Sequence, residues 1–201
     1  DFDTAIAVMV ARSAHGQATS WAPPPPVQSD GICTLTITPA PNISTEIAEK
    51  AQHLALSIAS EIALVGVMAV EMFIKGDEIF INELAMRPHN SGHWTLEACA
   101  TSQFEQLVRA ACDLPLGETT AHGAAAMANV VGAEGHQGPV HYEGALDVLS
   151  QPGVHLHLYG KRETRPFRKM GHLTAVAETA DEARKRAAEG RDALRVVTLP
   201  Q

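Results

Sequence analysis

Hydrophobic residues along the chain change their period several times, and each change predicts an element. Residues 4–12 (TAIAVMVAR) form a near-continuous apolar run of strand length that ends on a cation, the pattern of a buried strand. His15-Gly16 supplies a turn, and residues 17–21 a return strand. The prolines at 23–26 forbid a regular ladder or helix and predict a stiff, extended connector. GICTLTIT (31–38) is rich in β-branched residues and reads as a strand that PAPN (39–42) breaks. From Ser44 the apolar positions Ile47, Ala51, Leu54, Ile58 and Ile62 recur every three or four residues, one face of a helix capped by Ser44 or Thr45. Residues 65–73 and 78–84 follow as a strand pair. Ser102 and Glu105 form a capping box that opens a second helix, with Phe104, Leu107, Val108 and Ala111 as its apolar face and its end near Asp113-Leu114-Pro115. After Gly117 the texture turns to Gly and Ala: strands are expected over 125–131, 154–159 and 172–176, with a short helix over 143–149. Thr179 and Glu182 cap a terminal helix through about Val196. A domain boundary is expected within 113–121, giving units 1–116 and 117–201.

The stretch VEMFIKGDEIFINELAMRPHNSGHWT (70–95) stands out within that plan. Two short apolar strands flank Gly76-Asp77, and each carries one acid, Glu71 on the first and Glu83 on the second. A carboxylate in an apolar strand loses hydration and needs a positive partner. Two facing carboxylates repel, so a shared cation is the economical explanation. Side chains alternate faces along a strand, and a two-residue Gly76-Asp77 turn alone would pair Glu71 with Asn82. A shared cation therefore predicts a three-residue loop, Gly76-Asp77-Glu78, or a bulge with the same effect. Hard divalent ions prefer carboxylate oxygens, and Mg²⁺ characteristically takes one or two of them plus phosphates and water. Glu71 and Glu83, with Asn82 beside them, suit a metal-nucleotide site. Directly afterwards Arg87, His89, Asn90, Ser91 and His93 offer anion and hydrogen-bond partners in a loop broken by Pro88 and Gly92. The same breaks argue against a zinc helix built from His89 and His93. For His89 a substrate contact is expected; His93 reads equally well as a structural histidine.

Composition narrows the partners. With 201 residues, 45% hydrophobic and 19% charged, the chain has enough apolar material for a sizeable core. Its net charge of −8 argues against a general nucleic-acid or anionic-membrane binder. The one basic cluster, Lys161, Arg165, Arg168 and Lys169, is suited to a phosphate. Cys33, Cys99 and Cys112 are odd in number and widely spaced, which suggests neither a disulfide framework nor a zinc knuckle and fits a reducing cytoplasm. No apolar run reaches the roughly 18–20 residues of a membrane span. Asp1 leads almost at once into a strand without a preceding turn or cap, and a fragment entered in mid-fold is expected.

INELAMRPHNSGHWT (81–95) closely resembles the 5-(carboxyamino)imidazole ribonucleotide synthases of purine biosynthesis, members of the ATP-grasp superfamily. Met86 is the one departure from the family's pattern there. The resemblance extends through VMVARS (8–13), SDGIC (29–33), VGVMAVEMF (65–73), TSQFEQ (101–106), MANVVG (127–132) and HLYGK with the following RKMGH (157–172). It implies an α/β (α+β) chain: the C-terminal lobe of an ATP-grasp fold, with mainly antiparallel sheet and packed helices, then a small C-terminal α/β domain. It also implies ATP- and bicarbonate-dependent carboxylation of 5-aminoimidazole ribonucleotide through carboxyphosphate, in a homodimer using Mg²⁺ or Mn²⁺. By position, Glu71 and Glu83 resemble the metal ligands, Asn82, Glu83 and Gln28 nucleotide-side contacts, and Arg87, His89 and Asn90 the catalytic anion loop. Lys161, Arg165, Arg168 and Lys169 match the stretch that takes the ribonucleotide's 5′-phosphate. Related ATP-grasp ligases, the formate-dependent glycinamide ribonucleotide transformylases and biotin carboxylases, share the acidic hairpin but are expected to differ after it. Three departures are visible: Ala5 stands where the family has a ribose-binding Glu, Phe167 where it usually has a small residue, and KRETRP is one residue longer. With Ala5 and without the family's first domain and first lobe, a degenerate interaction module is the non-enzymatic alternative, and the isolated chain is expected to be inactive.

Overall fold

The computed structural model describes residues 2–23, 26–29, 32–38 and 43–199, with 26–29 and 32–34 described by their backbone. Three antiparallel sheets and five helices carry the chain. The first sheet has the order β2-β1-β5-β6, with β1 Thr4–Arg12, β2 Ala18–Ser20, β5 Gly66–Lys75 and β6 Glu78–Ala85. The second has the order β3-β4-β7-β11-β9, from β3 Pro26–Ser29, β4 Ile32–Thr38, β7 Ala124–Val131, β11 Lys169–Ala177 and β9 Val154–Leu158. A third, β10-β8-β12, joins β10 Glu163–Thr164, β8 Gly138–Glu143 and β12 Arg195–Thr198.

The two central strands of the first sheet are covered on both faces over most of their length, which is why β1 reads as an apolar run and β5 as one broken by Glu71. Ile6, Val8, Val10, Met68, Val70, Met72 and Ile74 pack on helix α1 (Thr45–Glu61). The other face, Met9, Ala11, Val67, Ala69 and Ala85, meets Trp21, Trp94, Ala98, Ala110 and the second sheet's Ala125 and Met127. Strand β7 has small residues because it too is buried on both sides: Ala124, Ala126 and Ala128 face helix α5 (Ala180–Ala193), Ala125 and Met127 the first sheet. Alternation along β7 then puts Asn129 on the side of the first sheet.

Several expected boundaries move by a residue or two, and four differences have clear physical causes. Helix α1 is capped by Ser44, whose hydroxyl accepts from Ile47 N–H, but its buried stripe is Ile47, Ala51, Ala55 and Ala59. Leu54 and Ile58 flank that stripe, and Ile62 is an exposed C-cap. Small alanines let the helix lie close to the sheet. Helix α3 (Gln103–Ala111) is capped by Ser102 as expected, yet it buries Gln103, Gln106 and Ala110 and exposes Phe104 and Val108. The two glutamines satisfy main-chain groups inside the protein and therefore go in. Helix α5, capped by Thr179, stops at Ala193. Val196 and Val197 are nearly fully buried in β12, paired with Tyr142 and His141 of β8 respectively, a strand the helical reading overran. Pro26 starts edge strand β3 instead of ending a connector, while Pro24, Pro25 and the break at 39–42 lie outside the described residues. Among the described residues, no helix is long and apolar enough to cross a membrane.

Candidate functional site

The acidic hairpin brings its carboxylates onto one face by a bulge. Lys75 pairs with Glu78 across the two-residue turn Gly76-Asp77, so the longer loop does not form. The register shifts between Met72, which faces Ile81, and Glu71, which faces Glu83. Asn82 is the extra residue; the bulge therefore lies deep in β6, not at 76–78. Without it Glu83 would face the α1 side. With it, Glu71 and Glu83 are direct cross-strand neighbours on the face that carries Ala69 and Ala85 lower down. Asn82 Nδ2 donates to Glu71 Oε2 at 3.2 Å. Ala5 lies one strand over, paired with Phe73, next to the Ala7–Glu71 pair. Its methyl group brings no acceptor to that face. Gln28 sits on β3, and its side chain lies outside the described residues.

Glu71 Oε1 meets His89 Nε2 at 3.2 Å. The ring's other nitrogen, Nδ1, accepts the Ser91 N–H at 3.3 Å, which puts the proton of a neutral imidazole on Nε2, donated to Glu71. Burial lowers the His89 pKa from its ordinary value; Glu71 and Glu83 oppose that shift, while the charges of Arg87 and Lys169 add to it. His89 is thus a neutral donor at pH 7. Arg87 Nη1 caps the Pro88 carbonyl at 3.1 Å, and its side chain is otherwise exposed at the mouth of the hairpin. Asn90 and Asn129 exchange amide hydrogen bonds at 2.7 and 2.9 Å, and Lys169 Nζ donates to Asn90 Oδ1 at 3.1 Å. Lys169 therefore joins the basic cluster to the anion loop.

The rest of that cluster lies alongside. Lys161 Nζ donates to the Lys169 carbonyl and rests 5.6 Å from the centre of the Tyr159 ring. The Lys161 pKa is lowered, first by burial and then by the charges of Arg168, Arg165 and Lys169, and Arg168 Nη1 donates to the Glu163 carbonyl at 2.8 Å. The loop that carries them wraps Gly132: Gly132 N–H donates to the Arg168 carbonyl and Phe167 N–H to the Gly132 carbonyl, both at 2.9 Å. Phe167 sits at φ +61°, a conformation costly for a residue with a Cβ, and is largely exposed. Phe167→Gly is expected to raise stability by roughly 0.5–1 kcal/mol, the strain relieved less the greater backbone entropy of glycine. Chemical denaturation measures this directly, and a loss of stability would show that the ring makes contacts outweighing the strain.

Between loop and cluster runs a column of rings. Phe104 stacks on His93, His93 on His172 at 4.5 Å and His172 on His157 at 4.6 Å between ring centres. His157, His172 and Asn129 are register partners across β9, β11 and β7, a row of polar side chains facing the first sheet. Tyr159 Oη bonds His172 Nδ1 at 3.0 Å, and Glu97 Oε1 holds His157 Nε2 at 2.5 Å. Burial, with help from the neighbouring histidines, pushes His93 down to about 4 and His172 to about 3, and burial alone pushes Tyr159 up to about 12. All three are uncharged at pH 7.

As a donor set Glu71, Glu83 and the Asn82 amide oxygen are hard oxygens, which fits Mg²⁺ with phosphates completing its shell. Among the described residues, no three His, Cys, Asp or Glu side chains gather around one point, so the protein alone makes no closed cage.

Residues 1–104 match the ATP-grasp domain. The chain belongs to the ATP-grasp family. In this ATP-grasp chain, residues 125–186 match the phosphoribosylaminoimidazole carboxylase C-terminal domain. It is 44% identical over 190 residues to an N5-carboxyaminoimidazole ribonucleotide synthase of Mycobacterium tuberculosis, covering 93% of this chain and 44% of that protein. Its fold superposes on the N5-carboxyaminoimidazole ribonucleotide synthetase of Thermotoga maritima with a TM-score of 0.90 at 41% identity, covering 98% of this chain and 54% of that one. It also matches the Aspergillus clavatus synthase solved with ADP and 5-aminoimidazole ribonucleotide, at a TM-score of 0.82 and 36% identity, over 95% and 51% of the two chains. The family resemblance read from 81–95 thus holds along nearly the whole chain, and the chain spans about half the length of the relatives it matches.

The structure also adds residues that the sequence reading did not single out: Asn129, Tyr159, His172 and Gln103. Asn129 had a signal, being the only polar residue in AAAMANVV, the same kind of intrusion that drew attention to Glu71.

Proposed function

We propose that this chain supplies the metal-phosphate wall, the anion loop and the ribonucleotide-phosphate cluster of a ligase that carboxylates 5-aminoimidazole ribonucleotide with ATP and bicarbonate. The observation that carries this reading is the bulge at Asn82, which sets Glu71 opposite Glu83 while Glu71 holds the ring of His89. Two acids and an anion loop thereby share one wall.

In this reading Glu71 and Glu83 hold Mg²⁺, or Mn²⁺ in its place, and Asn82 and Gln28 face the nucleotide. The metal offsets charge on the β- and γ-phosphates when bound. Arg87, whose guanidinium is largely exposed, takes bicarbonate and then carboxyphosphate, while His89, its Nε2–H held by Glu71, and Asn90 line the place where that anion sits; its lifetime depends on keeping water out. Lys161, Arg165, Arg168 and Lys169 take the 5′-phosphate; Lys169, through Asn90, ties that phosphate to the place where the carboxyl group is handed over. Two functional units, 1–116 and 117–201, meet across this seam, in a cytoplasmic homodimer.

The test is substrate choice by the intact protein that contains this chain. With ATP and Mg²⁺, phosphate release is expected to require bicarbonate and 5-aminoimidazole ribonucleotide together. Release with glycinamide ribonucleotide and formate instead would assign it to another ATP-grasp ligase. If Mg²⁺ neither supports turnover nor raises the melting temperature, the degenerate-module reading suggested by Ala5 wins.

A further inference from the structure

We infer that Gln103 is the positioning residue that holds the anion loop in its working shape. Gln103 is the first residue of α3 and is completely buried. Its Oε1 accepts the His89 N–H at 2.8 Å, while its Nε2 donates to the His89 carbonyl at 2.9 Å. One side-chain amide thus engages both main-chain groups of His89, as a neighbouring β-strand would. The pairing also fixes the amide's orientation, because only the oxygen can take the N–H. Nε2 is therefore a donor, and His93 Nδ1, 3.1 Å from it, is an acceptor, in keeping with a neutral His93.

A second tie closes the loop from the other end. Gln103 N–H donates to Thr95 Oγ1 at 3.0 Å, and that hydroxyl donates to the Gly92 carbonyl at 2.6 Å. Gly92 has to be glycine for this arrangement: a Cβ there would lie 2.7 Å from Gln103 Oε1 and 2.8 Å from its Cδ. The loop from His89 to Gly92 is therefore drawn down onto a single buried amide. With its backbone held at both groups, His89 can aim Nε2 at Glu71, and Asn90, next in the chain, can reach Asn129 and Lys169. Gln103 touches none of the acids or cations itself and acts through the residues it holds.

The same helix contains its own control. Gln106 clamps Gly117 in the same two-point manner, Nε2 to the Gly117 carbonyl at 2.6 Å and Gly117 N–H to Oε1 at 2.9 Å, at a turn that holds none of the proposed site residues. Losing either amide leaves buried main-chain groups without partners. Only loss of the first disturbs the anion loop.

The inference rests on the proposed role of the loop, so its test carries two readouts in the intact protein. Gln103→Met is expected to lower kcat by about 10- to 100-fold and to raise the KM for bicarbonate, with the KM for ATP within about 2-fold, the pattern of misplaced reacting groups. Gln106→Met is expected to lose similar stability and keep kcat within about 3-fold. Independently of activity, hydrogen exchange of the His89 main-chain amide followed by NMR is expected to speed up by about 10-fold or more in Gln103→Met and to stay unchanged in Gln106→Met. Should Gln103→Met not fold, Thr95→Val removes the second tie and should show the same two signatures at smaller size. Wild-type kcat together with unchanged exchange of the His89 amide overturns the inference. Equal effects from Gln103→Met and Gln106→Met overturn it as well, by reducing it to general destabilisation. A wild-type protein that does not carboxylate the ribonucleotide sinks the functional reading alone, and the exchange of the His89 amide still decides the role of Gln103.

Discussion

Glu83→Gln in the intact ligase is expected to lower turnover by roughly 100-fold or more while leaving the protein as stable as before, or slightly more so. Glu71 and Glu83 face each other directly across the β5–β6 ladder, and Glu83 is exposed. Like charges directly opposite on a sheet destabilise it, by up to about 1 kcal/mol, so removing one of them costs the fold nothing. The amide keeps the shape and hydrogen-bonding capacity of the acid but loses the charge that would anchor a cation. Activity and stability should therefore move in opposite directions. Stabilisation by Mg²⁺ with ATP should shrink in parallel. An unchanged rate would remove Glu83 from the metal site; a large drop in melting temperature would make its role structural.

Gly132→Ala is expected to cost about 1–3 kcal/mol and to raise the KM for the ribonucleotide by about 10-fold or more. A Cβ at this position would stand 2.1 Å from the Arg165 carbonyl oxygen and 2.4 Å from Thr164 Oγ1. The first is backbone and the second belongs to a fully buried residue, so neither can step aside cheaply. Gly132 also holds the loop by its own main-chain bonds to Phe167 and Arg168. Making room for a methyl group therefore pushes the loop outward, and Arg165 and Arg168 move with it. Since Glu71, Glu83 and the anion loop lie on other elements, the KM for ATP should change little. Steady-state kinetics separate the two substrates, and a wild-type KM for the ribonucleotide would mean that these arginines do not bind it.

Local signals in the sequence recover the elements that local chemistry decides. Ser44, Ser102 and Thr179 each cap the helix expected to start there, and the apolar runs of β1 and β5, the latter broken by Glu71, follow from burial on both faces. The face of a helix is another matter. Periodicity turns α3 toward Phe104 and Val108, because a hydrophobic pattern has no means of registering that Gln103 and Gln106 are needed inside as partners for distant main chain. Strand β12 was hidden for a related reason, since only Arg195 separates Ala193 and Leu194 from Val196 and Val197, with no Gly or Pro to mark the change. Within the site, Glu71, Glu83 and the loop after them were visible as charged and polar residues following apolar ones, although Glu83 turns out exposed because β6 is an edge strand with little packed on it. The position of the bulge was not, because either a longer turn or an extra residue further along the strand would satisfy the same alternation. Asn129 and His172 come to the site through β7, β11 and β9, a pairing over long sequence separations that no local window contains.

The column of rings between the anion loop and the basic cluster has a consequence for charge. His89, His93 and His172 are held uncharged by burial at pH 7, the last two until the solution is strongly acidic. Lys169 already links the loop to the basic cluster, and the neutral rings beside it add no further positive charge there. A modest dip in pH, which charges an ordinary histidine, leaves His93 and His172 neutral, so the middle of the column keeps its charge state while the acidity around the protein changes.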